Sequence, residues 1–233
     1  MTKRRGKIPI RTVTGKRRRA PLFVAGVLTA VSLATAAMPA SAASPVAGAA
    51  STSIRFAASA KPPEPGSPLP RRIAQLAIGQ IGAAESGGED RYPKRYTRVN
   101  KHILWKQPWC GVFAYWVWTK AGVTKRPPMN PARGTAQGHW ATYWQAWGKK
   151  HNRWKRIGGK RDPWIGDVIV YGNYPESGHV GIVVDVKYGR NGKVTHIRTV
   201  EGNFRDKVTD RGWRKITQLS GNGQPATGFV SPI

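Results

Sequence analysis

The 233-residue sequence has one cysteine, three methionines and 11 acidic residues against 39 lysines and arginines. A single cysteine, Cys110, excludes an intramolecular disulfide. There is no second thiol, no histidine pair at helical spacing and no carboxylate cluster, so no metal site and no cofactor are expected. The absence of a Gly-x-Ser-x-Gly elbow removes the usual signature of a serine hydrolase. Long apolar stretches are scarce too. The uncharged run from Leu22 to Met38 is about 17 residues of mostly Ala, Thr, Ser, Val and Leu, marginal for a bilayer core of about 30 Å.

That run sits in a recognisable context. Residues 1–19 hold nine Lys or Arg and no acid, and Pro39-Ala40-Ser41-Ala42 follows the apolar segment. A basic region, an apolar region and small residues before a cut describe a secretory signal peptide over 1–42, with cleavage after Ala42. The Arg17-Arg18-Arg19 cluster leaves both Sec and twin-arginine export open. Residues 43–70 are Ala-, Ser-, Pro- and Gly-rich, ending in Pro62-Pro63-Glu64-Pro65-Gly66-Ser67-Pro68-Leu69-Pro70, and read as a semi-rigid linker. One domain, 71–233, remains.

The formal charge is +28; setting aside the nine cations of residues 1–19 leaves 30 against 11 acids, or +19. Such a surplus favours polyanions. The basic residues are scattered and accompany no nucleic-acid-binding motif, so nucleic acid is not the expected partner. An anionic cell wall or membrane surface fits an exported cation better, a cell-wall polymer being the expected partner, with no stable membrane insertion once the signal is removed. The protein is expected to be a secreted monomer.

Cys110 lies in Gln107-Pro108-Trp109-Cys110-Gly111-Val112-Phe113-Ala114-Tyr115-Trp116-Val117-Trp118-Thr119-Lys120-Ala121-Gly122. Proline suits a helix start and Gly122 a helix end, so the stretch predicts a buried helix of about 12 residues with the thiol in its first turn. Unsatisfied amides and the positive end of the helix dipole favour a thiolate there, and the same amides can hold an oxyanion.

Two β-branched runs follow, Trp164–Tyr171 and Ser177–Val186, which predict antiparallel strands with an irregular connection. His179, flanked by Gly178 and Gly181, is the candidate general base and acid, its small neighbours leaving room for substrate. A third strand, Lys193–Glu201, ends at Gly202-Asn203. Glu201 and Asn203 are candidates for orienting the imidazole. His196 competes for that role, but side chains alternate along a strand and would turn it away from the Glu201 face. Trp140, Trp144, Trp147 and Trp154 recur at roughly helical spacing and are expected in the core rather than as sugar platforms.

Taken together, these segments resemble the CHAP family, the cysteine- and histidine-dependent amidohydrolases/peptidases. The match runs through Pro108-Trp109-Cys110-Gly111-Val112-Phe113, Ala121-Gly122, Gly166-Asp167-Val168, Gly178-His179-Val180-Gly181 and Glu201-Gly202-Asn203. Upstream, Ile73–Ala77 and Gln80–Gly87 are similar to the family's first helix and the loop after it. The resemblance implies a papain-like α+β fold, with N-terminal helices on a small antiparallel sheet. It also implies peptidoglycan as substrate, cut either at the sugar–peptide amide or within the peptides. By analogy Cys110 attacks the carbonyl, His179 relays the proton, and Glu201 with Asn203 orients the ring. Gln107 is the nearest candidate for the oxyanion-donating glutamine of papain-like enzymes, although it lies closer to the cysteine than that pattern has it. Two alternatives remain: an NlpC-like peptidase with His196 as third residue, and an exported wall-binding protein that keeps the fold without the chemistry.

Overall fold

The computed structural model describes residues 68–99, 107–129 and 138–233. The expected signal peptide over 1–42, and the linker up to residue 67, lie outside the described residues. The first helix, α1, runs Leu69–Ile78 and so begins two residues inside the expected linker. Pro70 does not prevent this, because an N–H missing from the first turn has no intrahelical acceptor to lose. Ile73, Ala74, Ala77 and Ile78 recur at helical spacing and form its buried face.

The second helix, α2, runs Cys110–Ala121, as its sequence predicts. Gly122 closes it at φ 85°, a left-handed conformation that costs glycine nothing and a β-branched residue a great deal. Ten of its 12 residues are buried, so it is a core helix with no solvated stripe. A third helix, α3, spans Tyr143–Lys150 and buries Trp144 and Trp147. Burying indoles requires partners for their N–H groups. Trp118 donates to the Gly166 carbonyl at 3.0 Å, and Trp144 to that of Gly138 at 2.7 Å. Their rings meet edge to face at 4.9 Å.

The helices accompany an antiparallel sheet of seven strands, making the fold α+β. These are β1 (Trp154–Arg156), β2 (Val168–Tyr171), β3 (His179–Tyr188), β4 (Val194–Glu201), β5 (Thr209–Lys215), β6 (Ser220–Gly221) and β7 (Gln224–Val230). The order across the sheet is β1-β7-β2-β3-β4-β5, with β6 pairing β7. Alternation along β2 sends Val168 and Val170 to the helix-packed face, while Ile169 and Tyr171 join Val183, Ile197 and Phe229 on the other. Both faces are buried at the centre, which is why β2 reads as an unbroken Val-Ile-Val-Tyr run. Asp167, just before β2, is buried and accepts from the Trp164 amide at 2.8 Å and from Lys155 of β1 at 2.9 Å. It ties the edge strand to the centre of the sheet. No helix among the described residues is long and apolar enough to cross a membrane.

Candidate active site

Cys110 is the first residue of α2. Trp109, at the N-cap, makes no side-chain cap, so the first-turn amides keep their donors free of one. Two backbone amides, of Gly111 and of Val180 at the start of β3, donate to the sulfur. Burial by itself raises a thiol pKa. The charge and hydrogen bond of the His179 imidazole, with the two amides, outweigh that effect and draw the Cys110 pKa below its ordinary value.

His179 opens β3 and is fully buried. Its Nε2 lies 3.1 Å from Glu201 Oε2. With Nε2 engaged there, Nδ1 is the ring nitrogen left for the thiol. The Asn222 amide nitrogen lies 3.5 Å from that atom. Burial would lower the imidazole pKa, but the Cys110 charge and hydrogen bond, then Glu201, raise it to about 9. The ground state they favour is a thiolate–imidazolium pair. These are the two opposite charges that a low-dielectric site stabilises in each other's presence.

Glu201 ends β4 and is fully buried, with each oxygen multiply bonded. Oε1 accepts from Tyr171 Oη at 2.6 Å, Thr199 Oγ1 at 2.8 Å and Arg214 at 2.8 Å. Oε2 faces His179 and accepts from Arg211 at 2.7 Å. Burial pushes a carboxyl pKa up. Here His179, through its hydrogen bond and charge, together with Arg214 and Arg211, overcomes it and holds the value at about 2. The carboxylate is therefore ionised at neutral pH.

The glycines around His179 have a different purpose from the expected one. The ring is not exposed by them. A Cβ at Gly181 would stand 2.4 Å from Glu201 Cγ, so the missing side chain makes room for the carboxylate across the ladder. A Cβ at Gly111 would stand 2.1 Å from the His139 carbonyl oxygen, which rides directly on the start of α2.

The other expected residues fall in different places. Asn203 is not on the imidazole: it adopts φ 56°, and its amide nitrogen lies 3.5 Å from Asp90 Oδ1. Its turn carries the side chain off the strand line, toward the loop after α1. Gln107 lines the cleft beside Cys110, with its side chain hydrogen-bonded to the Tyr92 hydroxyl. His196 pairs with Lys187 on one side and Lys215 on the other, five residues or about 16 Å along β4 from Glu201. Its Nδ1 meets Thr195 Oγ1. It takes no part in the Cys110–His179–Glu201 line.

Sequence reasoning missed the cage around Glu201: Tyr171, Thr199, Arg211 and Arg214. Two of the four carry a signal. Tyr171 pairs directly with His179 in the β2–β3 register, and Thr199 shares the Glu201 face by alternation. The arginines come from β5, whose polar pattern announces no strand. A cleft of about 340 Å³ opens over Cys110, lined also by His139, Trp140, Thr142, Glu176 and Gly178. Trp140 is 44% exposed in it, unlike the core tryptophans of α3. Burial lowers the His139 pKa, which keeps that ring neutral beside the cleft. No group of three or more potential metal ligands occurs among the described residues.

A family model described as the CHAP domain covers residues 103–203, from just before α2 to the turn after β4. No curated protein and no solved structure matches the chain significantly.

Proposed function

We propose that this protein is a secreted cysteine hydrolase cutting amide bonds of peptidoglycan, a reading supported by the match of residues 103–203 to the CHAP domain, a family of hydrolases of the peptidoglycan amidase/peptidase type. The observation that carries the reading is the buried line from the Cys110 thiol through the His179 imidazole to the Glu201 carboxylate. A thiol at a helix start against a strand histidine supports the papain-like reading.

In the proposed reaction the Cys110 thiolate attacks the scissile carbonyl carbon. The negative charge passes to the carbonyl oxygen, held by backbone amides at the start of α2, with Gln107 as a further donor at the cleft. The His179 imidazolium then gives its proton to the departing amine, leaving a thioester on Cys110. The neutral imidazole takes a proton from an entering water, the hydroxide attacks the thioester carbonyl, and the acid leaves as the thiolate re-forms. Glu201 stays ionised throughout and holds the ring by Nε2, stabilising each imidazolium that forms. Asn203 acts at one remove, fixing the turn that follows Glu201.

Export rests on the basic, apolar and small-residue pattern of residues 1–42, and wall affinity on the +19 surplus of the rest. All three site residues come from one chain, which supports the reading that a monomer carries a complete site. The test is digestion of purified, insoluble peptidoglycan with separation and mass spectrometry of the released fragments. Wild type is expected to release new amine and carboxyl ends at one kind of amide bond, and Cys110→Ala to release none. Equal release by the Cys110→Ala protein would sink the proposal.

A further inference from the structure

The four tryptophans between Trp140 and Trp154 have three different fates. Trp144 and Trp147 are core, and Trp140 borders the catalytic cleft. Trp154 instead lines a second concavity of about 670 Å³, within the roughly 300–1,000 Å³ of small-ligand sites. The connection from β2 to β3 separates the two hollows: Asn173 lines the second, while Pro175 to Gly178 line the cleft over Cys110.

That connection is held by a built strut. Gln145 of α3 is 4% exposed, and its Nε2 donates to Asn173 Oδ1 at 2.9 Å and to Thr227 Oγ1 at 3.2 Å. Its Oε1 accepts from the Tyr174 amide at 3.1 Å. One helical turn further on, Lys149 projects from the same face of α3 onto the same hollow, opposite Arg156 of the edge strand β1. Neither cation has an ion-pair partner among the described residues, and no acid lines the hollow. Lys149 Nζ sits 5.8 Å from the centre of the Trp154 ring. Two unpaired cations, an indole and amide and hydroxyl groups in one concavity suit a ligand that is at once anionic and sugar-like.

We propose that this hollow binds an anionic carbohydrate unit of the same polymer whose amide is cut at Cys110, as a subsite beyond the Asn173–Gly178 connection. The proposal rests on the cell-wall reading above and adds to it the place where wall affinity resides. The anion is either a carboxylate of the glycan–peptide network or a phosphate of a polymer attached to it.

The test uses the full chain carrying Cys110→Ala as a binding probe on insoluble walls, combined with Lys149→Glu and Arg156→Glu. A second probe carries Lys125→Glu and Arg190→Glu, two exposed cations outside both hollows, which match the change in net charge. The Lys149/Arg156 pair is expected to bind about tenfold more weakly, and the control pair less than twofold. With the thiol intact, the Lys149/Arg156 protein is expected to cut a short uncharged amide substrate at the unchanged rate but intact walls more slowly. On walls stripped of phosphate polymer, loss of the difference identifies a phosphate ligand, and its persistence a carboxylate. Equal weakening by both pairs, or none by either, would overturn the subsite. An active-thiol parent that cuts neither substrate would instead contradict the hydrolase reading, leaving the binding comparison to decide the subsite independently.

Discussion

Glu201 accepts hydrogen bonds from Tyr171, Thr199, Arg211 and Arg214 and meets the His179 ring, all around two fully buried oxygens. A carboxylate so enclosed is ionised because its neighbours compensate for lost hydration, and they in turn depend on it. In Glu201→Gln, Arg211 and Arg214 face a neutral amide, and the imidazole loses the charge that raises its pKa. We expect turnover to fall about 10²-fold or more and stability to drop by about 3 kcal/mol, read by steady-state kinetics and urea unfolding. The high-pH limb of kcat/KM, near the His179 value of about 9 in the parent, is expected to move to lower pH. A limb that stays in place would mean the carboxylate does not control the ring. The stability sign is that of a depressed carboxyl. Folding gains from Glu201 fully above its ordinary pKa of 4.5 and loses that gain as pH falls toward about 2. At this scale Cys110, His179 and Glu201 were legible from residue type and local pattern. Asn203 was misread because a left-handed turn, invisible in the spacing, carries its amide to Asp90.

At the scale of elements, the site exists because one helix and two strands meet at their ends. The start of α2 supplies the thiol, the start of β3 the imidazole and the end of β4 the carboxylate. Close approach between these elements depends on missing side chains. Gly181→Ala would set a methyl 2.4 Å from Glu201 Cγ, inside any tolerable contact. The carboxyl must swing or the strands must part, at about 1–3 kcal/mol. The expected outcome is a fall in turnover larger than the loss of thermal stability would explain. Unchanged turnover would show that the carboxylate has room to spare. Helix α2 was readable from Pro108 to Gly122 because both its ends carry backbone chemistry, and β2 to β4 from their β-branched runs. Strands β1, β5 and β7 were not: β1 has three residues, β5 is polar on both sides, and β7 is interrupted by Pro225 and Gly228, so each owes its conformation to neighbours already in the sheet.

For the whole molecule, what matters is that no single segment makes the nucleophile reactive. Cys110 and Glu201 are 91 positions apart in the chain, and the amide of Val180 reaches the sulfur only when β3 lies against α2. On the proposed cell-wall reading, the positive charge of this assembly would draw its two hollows to an anionic polymer. The sequence made the charge plain but not the second hollow, which needs α3, β1 and β7 side by side. An unfolded chain has the ordinary thiol of a free cysteine, pKa about 8.5, whereas in the folded chain His179 and the amides of Val180 and Gly111 draw the Cys110 pKa down against the effect of burial. The most direct measurement is therefore the pH dependence of alkylation of the lone thiol by iodoacetamide, in the folded protein and in urea. We predict that the folded protein is alkylated at pH 6–7 with little further rise toward pH 8.5, that the unfolded protein follows the ordinary thiol, and that folded His179→Ala, with burial no longer offset by the imidazole, titrates no lower than the unfolded chain. The same ordinary titration in folded wild type as in the urea-unfolded chain would contradict the account.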